Sequence, residues 1–216
     1  DQALVIFAIV KPEPNFNLLD RFLIMMEQQG LSSIICFNKQ DIATQEEKEA
    51  LEKAYGSCGC RILFASAKKG DGIEELKGLL HGKTTAVAGP SGVGKSSIIN
   101  CLNPEACMET GEISRKIDRG RHTTRHSEIV ALQEGTYIMD TPGFTSLRLF
   151  HMEKEELPGY YPEFVFYEEK CRFSGCAHIN EPDCGVKMAL GEGRISKVRY
   201  ENYKVLYREL QEMKRY

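Results

Sequence analysis

No apolar run in the sequence approaches the roughly 18 residues that a membrane-spanning helix needs. The longest, Ala3 to Val10, has the length of a strand. The first residue is Asp1 and no basic segment precedes that run, so no secretory signal is expected, and the chain reads as a processed or truncated piece of something longer. Excess charge of one sign is scarce as well. The 28 Lys and Arg against 31 Asp and Glu leave a net charge of -3, which excludes a globally basic nucleic-acid binder but not a local basic patch. Internal repeats and low-complexity tracts are missing, which excludes a solenoid and a disordered chain. What remains is 42% hydrophobic and 27% charged, the profile of a soluble globular protein. A cytoplasmic location, no membrane contact and a monomeric state are the expectations.

Cysteine is the abundant exception, with eight in 216 residues. Cys171, Cys176 and Cys184 fall within fourteen residues, with His178 among them. The other five are scattered, and three lie in or beside elements of the expected core, where a reduced thiol behaves as a small hydrophobe. The set reads as reduced thiols plus one metal site, not as a disulfide framework. Cys58-Gly59-Cys60 reads as two unrelated thiols.

Apolar runs at 3–10, 32–37, 61–65 and 84–88 read as buried parallel strands. Helical spacing fills the intervals at 18–29, 44–55, 71–80 and 95–102. Thr44 with Glu47 and Asp71 with Glu74 have the spacing of capping boxes. Residues 127–132 and 136–140 read as a hairpin turning at Gln133, Glu134 and Gly135. Strands alternating with helices predict an α/β domain over 1–150 with a mainly parallel sheet. Residues 158–193 are rich in Gly, Pro and Cys, and helical spacing returns over 194–216 with a stripe of Ile195, Val198, Leu206, Leu210 and Met213. A small α-helical, metal-binding second domain is therefore expected at 151–216.

Gly89, Pro90, Ser91, Gly92, Val93, Gly94, Lys95 and Ser96, with Ser97 after them, fit the P-loop pattern between a strand and a helix. Its backbone N–H groups and the helix N-terminus suit a phosphate chain. Lys95 would reach the β- and γ-phosphates, and Ser96 would ligate Mg²⁺. Asp140, at the end of the hairpin, begins D-T-P-G and supplies a second magnesium anchor, with the Gly143 N–H offered to the γ-phosphate. Asn38, Lys39, Gln40 and Asp41 form N-K-x-D, which reads guanine. The Asp41 carboxylate accepts from N1–H and the 2-amino group, a donor pair that adenine lacks. Lys39 would lie along the base and Asn38 would tie its loop to the P-loop. Ser66, Ala67 and Lys68 fit the companion loop whose backbone N–H meets guanine O6. Gly120, Arg121, His122, Thr123 and Thr124 lie where a switch loop lends a threonine to Mg²⁺, and either Thr123 or Thr124 fits. GTP or GDP with Mg²⁺ is thus the expected ligand.

The order of these motifs is unusual, because the guanine-reading loops precede the P-loop. A parallel sheet with surface loops can be opened and rejoined without changing its site, so the chain reads as a circularly permuted P-loop GTPase. Cys171-x4-Cys176-x-His178-x5-Cys184 offers three thiolates and one imidazole, a closed tetrahedral shell suited to structural Zn²⁺. Zinc would hold a segment with too little apolar content to fold alone.

The permuted order, GPSGVGKSS, GRHTT, DTPGF and the Cys/His cluster together resemble the RsgA family. These are small-ribosomal-subunit-dependent GTPases of bacteria and plastids, and the resemblance covers essentially the whole chain. It implies a zinc site at the four residues just named and a role late in maturation of the small (30S) subunit. The implied partners are that subunit and its 16S-type rRNA. The family also carries an N-terminal OB-fold domain that binds rRNA, which is expected to be absent from a chain that starts at the first GTPase strand.

The position just after D-x-x-G, where many GTPases place a water-orienting Gln, holds Phe144. Slow intrinsic turnover is therefore expected, with stimulation by small subunits. His122 is the local candidate to orient the attacking water, and an RNA-contacting surface role suits it equally. Five basic residues between Arg115 and Arg125, and seven between Arg194 and Tyr216, are compatible with rRNA phosphates. Two alternatives remain. One is a GTP-gated RNA or protein docking module whose hydrolysis is incidental. The other is a P-loop kinase, which would leave N-K-x-D and S-A-K without a task.

Overall fold

A computed structural model of the chain describes residues 1–103, 128–140 and 152–213. Its centre is a six-stranded sheet of β1 (Gln2–Ala8), β2 (Ser32–Asn38), β3 (Arg61–Phe64), β4 (Thr84–Ala88), β5 (Glu128–Gln133) and β6 (Thr136–Asp140). The strand order is β3-β2-β1-β4-β6-β5. All neighbours are parallel except the β5–β6 hairpin. Four helices, α1 (Phe16–Gln28), α2 (Gln45–Tyr55), α3 (Ile73–Leu80) and α4 (Lys95–Leu102), connect or follow the strands.

Alternation along the strands assigns the two faces. Leu4, Ile6, Ile34, Cys36 and Leu63 pack under Ile73, Leu76 and Leu80 of α3 and Ile98 and Leu102 of α4. Val5, Phe7, Ile35 and Phe37 face Leu19, Phe22 and Leu23 of α1 and Leu51 and Tyr55 of α2. Both faces are covered, which is why these strands read as continuous apolar runs. Burial pushes the Cys36 thiol up to about 12, so it acts in the core as an apolar group.

Beyond the sheet lie α5 (Pro162–Glu168), α6 (Gly185–Gly191) and α7 (Lys197–Met213). They share a core of Tyr161, Phe164, Val186, Tyr200, Tyr203, Leu206 and Leu210, to which Ile24 of α1 contributes.

One local expectation is met and two are corrected. The Thr44–Glu47 capping box forms in both directions. The Asp71–Glu74 box does not, because Gly72 caps α3 with φ +74 and no side-chain bond. The Asp71 carbonyl instead accepts from the Ser66 N–H at 2.9 Å, which holds the neighbouring loop closed. The last helix starts at Lys197, three residues later than the spacing suggested. Its buried face is Arg199, Tyr200, Tyr203, Leu206 and Leu210, while Met213 is exposed. Tyrosines with satisfied hydroxyls supply that face, and an apolar count misses them.

Candidate nucleotide site and metal centre

The carboxyl ends of β2, β3, β4 and β6 carry the candidate loops. The order in which successive strands are added reverses between β1 and β4, and parallel sheets bind ligands at such a switch point. The P-loop follows β4. Gly89 has φ +144, and a side chain there would lie 2.1 Å from the Ile6 carbonyl oxygen. Gly94 has φ +95, and a Cβ would meet Asn38 Nδ2 at 2.4 Å. Both positions need glycine for backbone conformation and for close approach. Helix α4 starts at Lys95 with no side-chain cap, which leaves its N-terminal dipole end for an anion. Lys95 Nζ is held inside the loop by the carbonyls of Gly89 (2.8 Å) and Pro90 (2.7 Å).

Asn38 is buried and joins three loops. Its Nδ2 donates to the Val93 carbonyl at 2.9 Å, and its Oδ1 accepts from the Ala67 N–H at 3.1 Å. Lys39 takes a left-handed conformation at φ +68. Its ammonium donates to the Gly92 carbonyl at 2.7 Å and to the Lys11 carbonyl. The Ser66 hydroxyl donates to Asp41 Oδ1 at 2.7 Å and accepts from the Lys69 N–H at 3.1 Å. That hydroxyl, foremost, holds the Asp41 carboxyl below the usual carboxylate range. Asn38, Lys39, Asp41, Ser66, Ala67 and residues 89–95 are therefore brought into one constellation. Asp140 ends β6, paired with Val87 of β4 and thus next to the P-loop strand. His122, Thr123, Thr124, Gly143 and Phe144, with the basic run from Arg115 to Arg125, lie outside the described residues.

The second cluster is built by α5, α6 and the loop between them. Ligand-type atoms of Cys171, Cys176, His178 and Cys184 all lie within 4.8 Å of one another. Cys171 Sγ is 3.9 Å from Cys184 Sγ, and His178 Nδ1 is 3.4 Å from Cys184 Sγ. A tetrahedron with Zn–S bonds of about 2.3 Å has edges of about 3.8 Å, so the donor set and its spacing fit zinc. Burial holds the His178 imidazole below its ordinary value, which favours the neutral form a metal requires, although the nearby Glu168 carboxylate opposes it. His178 Nε2 faces that carboxylate at 3.5 Å, leaving Nδ1 toward the sulfurs. The seven cysteines among the described residues are all free thiols.

Residues outside the motifs fasten the loop that carries the Cys/His cluster. Tyr200 Oη donates to the His178 carbonyl and Tyr203 Oη to the Ala177 carbonyl, both at 2.6 Å. Glu181 accepts from the N–H groups of Ala177, Ile179 and Asn180. The only sequence signal for the tyrosines was their three-residue spacing on α7. One basic residue counted toward an rRNA surface, Arg199, is instead buried against Asp20 and Glu163.

A mainly parallel sheet carrying N-K-x-D and S-A-K loops before its P-loop strand defines a circularly permuted P-loop GTPase. The model of the RsgA GTPase family matches residues 1–150. The Small ribosomal subunit biogenesis GTPase RsgA of Agathobacter rectalis is 62% identical over 216 residues, which span all of this chain and 72% of that protein. The protein of the same name from Caldanaerobacter subterraneus subsp. tengcongensis is 47% identical, over 98% of this chain and 72% of its own length. The crystal structure of YjeQ from Thermotoga maritima superposes with a TM-score of 0.82 at 37% identity, covering 98% of this chain and 71% of that one. YloQ, described as a circularly permuted GTPase, superposes with a TM-score of 0.78 at 33% identity, covering 99% and 69%. The chain belongs to the RsgA GTPase family. Among the described residues, no helix is long and apolar enough to cross a membrane.

Proposed function

We propose that this GTPase acts in biogenesis of the small ribosomal subunit, with that subunit and its rRNA as partners. Asp41 and the 66–68 loop read the guanine, and residues 89–97 hold the phosphates. The observation that carries this reading is Asn38, whose two side-chain bonds lock the P-loop at Val93 to the guanine loop at Ala67. Phosphate binding and base reading thereby become one rigid unit. Ser96, Asp140 and Thr123 or Thr124 would hold Mg²⁺, which when bound neutralises charge on the transferring phosphoryl group. Lys95 would present its ammonium to the β- and γ-phosphates, and the Gly143 N–H, from its place in D-T-P-G, would serve the γ-phosphate. His122 would orient the attacking water. Residues 1–150 form the GTPase unit, and 151–216 a second unit stapled by Zn²⁺ on Cys171, Cys176, His178 and Cys184.

GTP hydrolysis measured with and without purified small subunits, with an ATP control, tests the proposal. Strong stimulation with GTP alone is expected. Equal turnover of ATP would sink the guanine reading. Phe144 favours a second reading, a GTP-gated docking module. Tight GTP-dependent binding to subunits without stimulated turnover would establish it.

A further inference from the structure

Helix α4 carries the P-loop lysine in its first turn and a cysteine in its second. Cys101 lies six residues after Lys95, about 9 Å along the helix axis. Its Sγ donates to the Ala67 carbonyl oxygen at 3.2 Å, across 34 residues of chain. Ala67 and Cys101 are both partly buried against the same core cluster. The other side of residue 67 is held as well, because its N–H donates to Asn38 Oδ1. Two separate elements thus grip one residue of the S-A-K loop, α4 by the carbonyl and the end of β2 by the N–H.

We propose that Cys101 is a positioning residue for guanine recognition: its thiol draws the Ala67 carbonyl toward α4 and so turns the Lys68 N–H outward, to donate to the purine 6-oxo group. This deepens the guanine reading above and rests on it. The peptide joining Ala67 to Lys68 is planar and trans, so its C=O and N–H point in opposite directions. Fixing the carbonyl against the helix therefore fixes the N–H on the far side. An aliphatic side chain could fill the space of Cys101 but could not orient the peptide, since it has no donor. The same short helix then serves both ends of the ligand, with Lys95 directed to the phosphates and Cys101 acting on the base only through the 66–68 loop.

The test compares GDP with 6-thio-GDP, whose 6-sulfur is a poor acceptor while N1–H and the 2-amino group remain for Asp41. Dissociation constants are measured calorimetrically for the native chain and for Cys101→Val, Cys101→Ala and Cys101→Ser. The native chain should bind GDP more tightly than the thio analogue. Cys101→Val should lose about 3- to 10-fold toward GDP and less than twofold toward 6-thio-GDP, the size of one neutral hydrogen bond. Cys101→Ala gives the same comparison without overpacking, and Cys101→Ser should restore the native ratio. Thermal midpoints measured without nucleotide separate loss of packing from loss of orientation. An unchanged GDP to 6-thio-GDP ratio in Val and Ala variants that still prefer GDP over ADP overturns the role of Cys101 alone. A native chain that binds GDP and ADP equally overturns the guanine reading with it.

Discussion

Arg199 of α7 reaches Asp20 of α1 at 2.6 Å, 179 residues away in the chain, with both side chains almost wholly buried. The same guanidinium donates to both Glu163 carboxylate oxygens, at 2.8 and 3.2 Å, and stacks over Tyr161 at 4.4 Å. Asn202 donates to the other Asp20 oxygen at 2.8 Å. Desolvation opposes the cation, yet its two carboxylate neighbours hold the Arg199 pKa well above its ordinary value. A single buried cation thus ties α1 to α5 and α7, the helices beside the Cys/His cluster.

Removing that cation should be costly. Arg199→Met leaves the Asp20 and Glu163 carboxylates buried without their cation, which destabilises by about 3–5 kcal/mol. Urea unfolding checks this. A loss below about 1 kcal/mol would mean that water or local rearrangement replaces the guanidinium.

Gly94→Ala should abolish nucleotide binding while leaving a folded chain. The new methyl would stand 2.4 Å from Asn38 Nδ2 on a backbone at φ +95. Relief requires Asn38 to give up its bond to Val93. The strain costs on the order of 1–3 kcal/mol. Calorimetry with GDP and a melting curve check the two effects separately, and GDP affinity within twofold of native contradicts the expectation.

Guanine preference should be insensitive to pH across the neutral and mildly acidic range. Asp41 must be ionised to accept from guanine, and the Ser66 hydroxyl holds its carboxyl below the usual value. A depressed value means that the contribution is complete above about pH 4 and is lost as pH falls through the lowered value. Ser66→Ala should move the acid edge upward and weaken GDP binding about 3- to 10-fold. Titrating GDP affinity from pH 7 to pH 3.5 tests both, and an edge that stays in place in Ser66→Ala refutes the assignment.

One zinc per chain is expected by elemental analysis of the purified protein. Chelation or Cys184→Ser should lower the thermal midpoint and loosen residues 171–184, because structural zinc contributes folding free energy. Glu168→Gln should weaken zinc affinity about 10- to 100-fold while the four ligands remain, since the carboxylate faces His178 Nε2. Zinc retention equal to native in a competition with chelator would show that Glu168 does not orient the imidazole.

Much of the fold was legible because the central strands β1 and β2 are buried on both faces along most of their length and announce themselves as apolar runs. The hairpin at 128–140, the Thr44 capping box and the helix from Lys95 were read from local pattern, and the structure reproduces them. The Asp71 cap was not legible, because Gly72 takes a left-handed conformation and becomes the N-cap itself, one residue past Asp71. The face of α7 was misread in part, because Tyr200 and Tyr203 bury rings while satisfying their hydroxyls on the His178 and Ala177 carbonyls.

Motif chemistry belongs to the sequence. Which residues can cradle phosphate, accept from guanine or bind a soft cation follows from residue types at fixed spacings, because those groups act through short, rigid local geometry. The permuted order is likewise visible in the chain alone. The Asn38 tie to the P-loop was expected from N-K-x-D, but tertiary structure alone decided the other fastenings: Asn38 on Ala67, Cys101 behind Ala67, and Arg199 between Asp20 and Glu163. These bonds join residues up to 179 positions apart, and no periodicity or spacing encodes such a pairing. Packing of elements selects it, because a buried polar group must find its partner wherever the fold brings one.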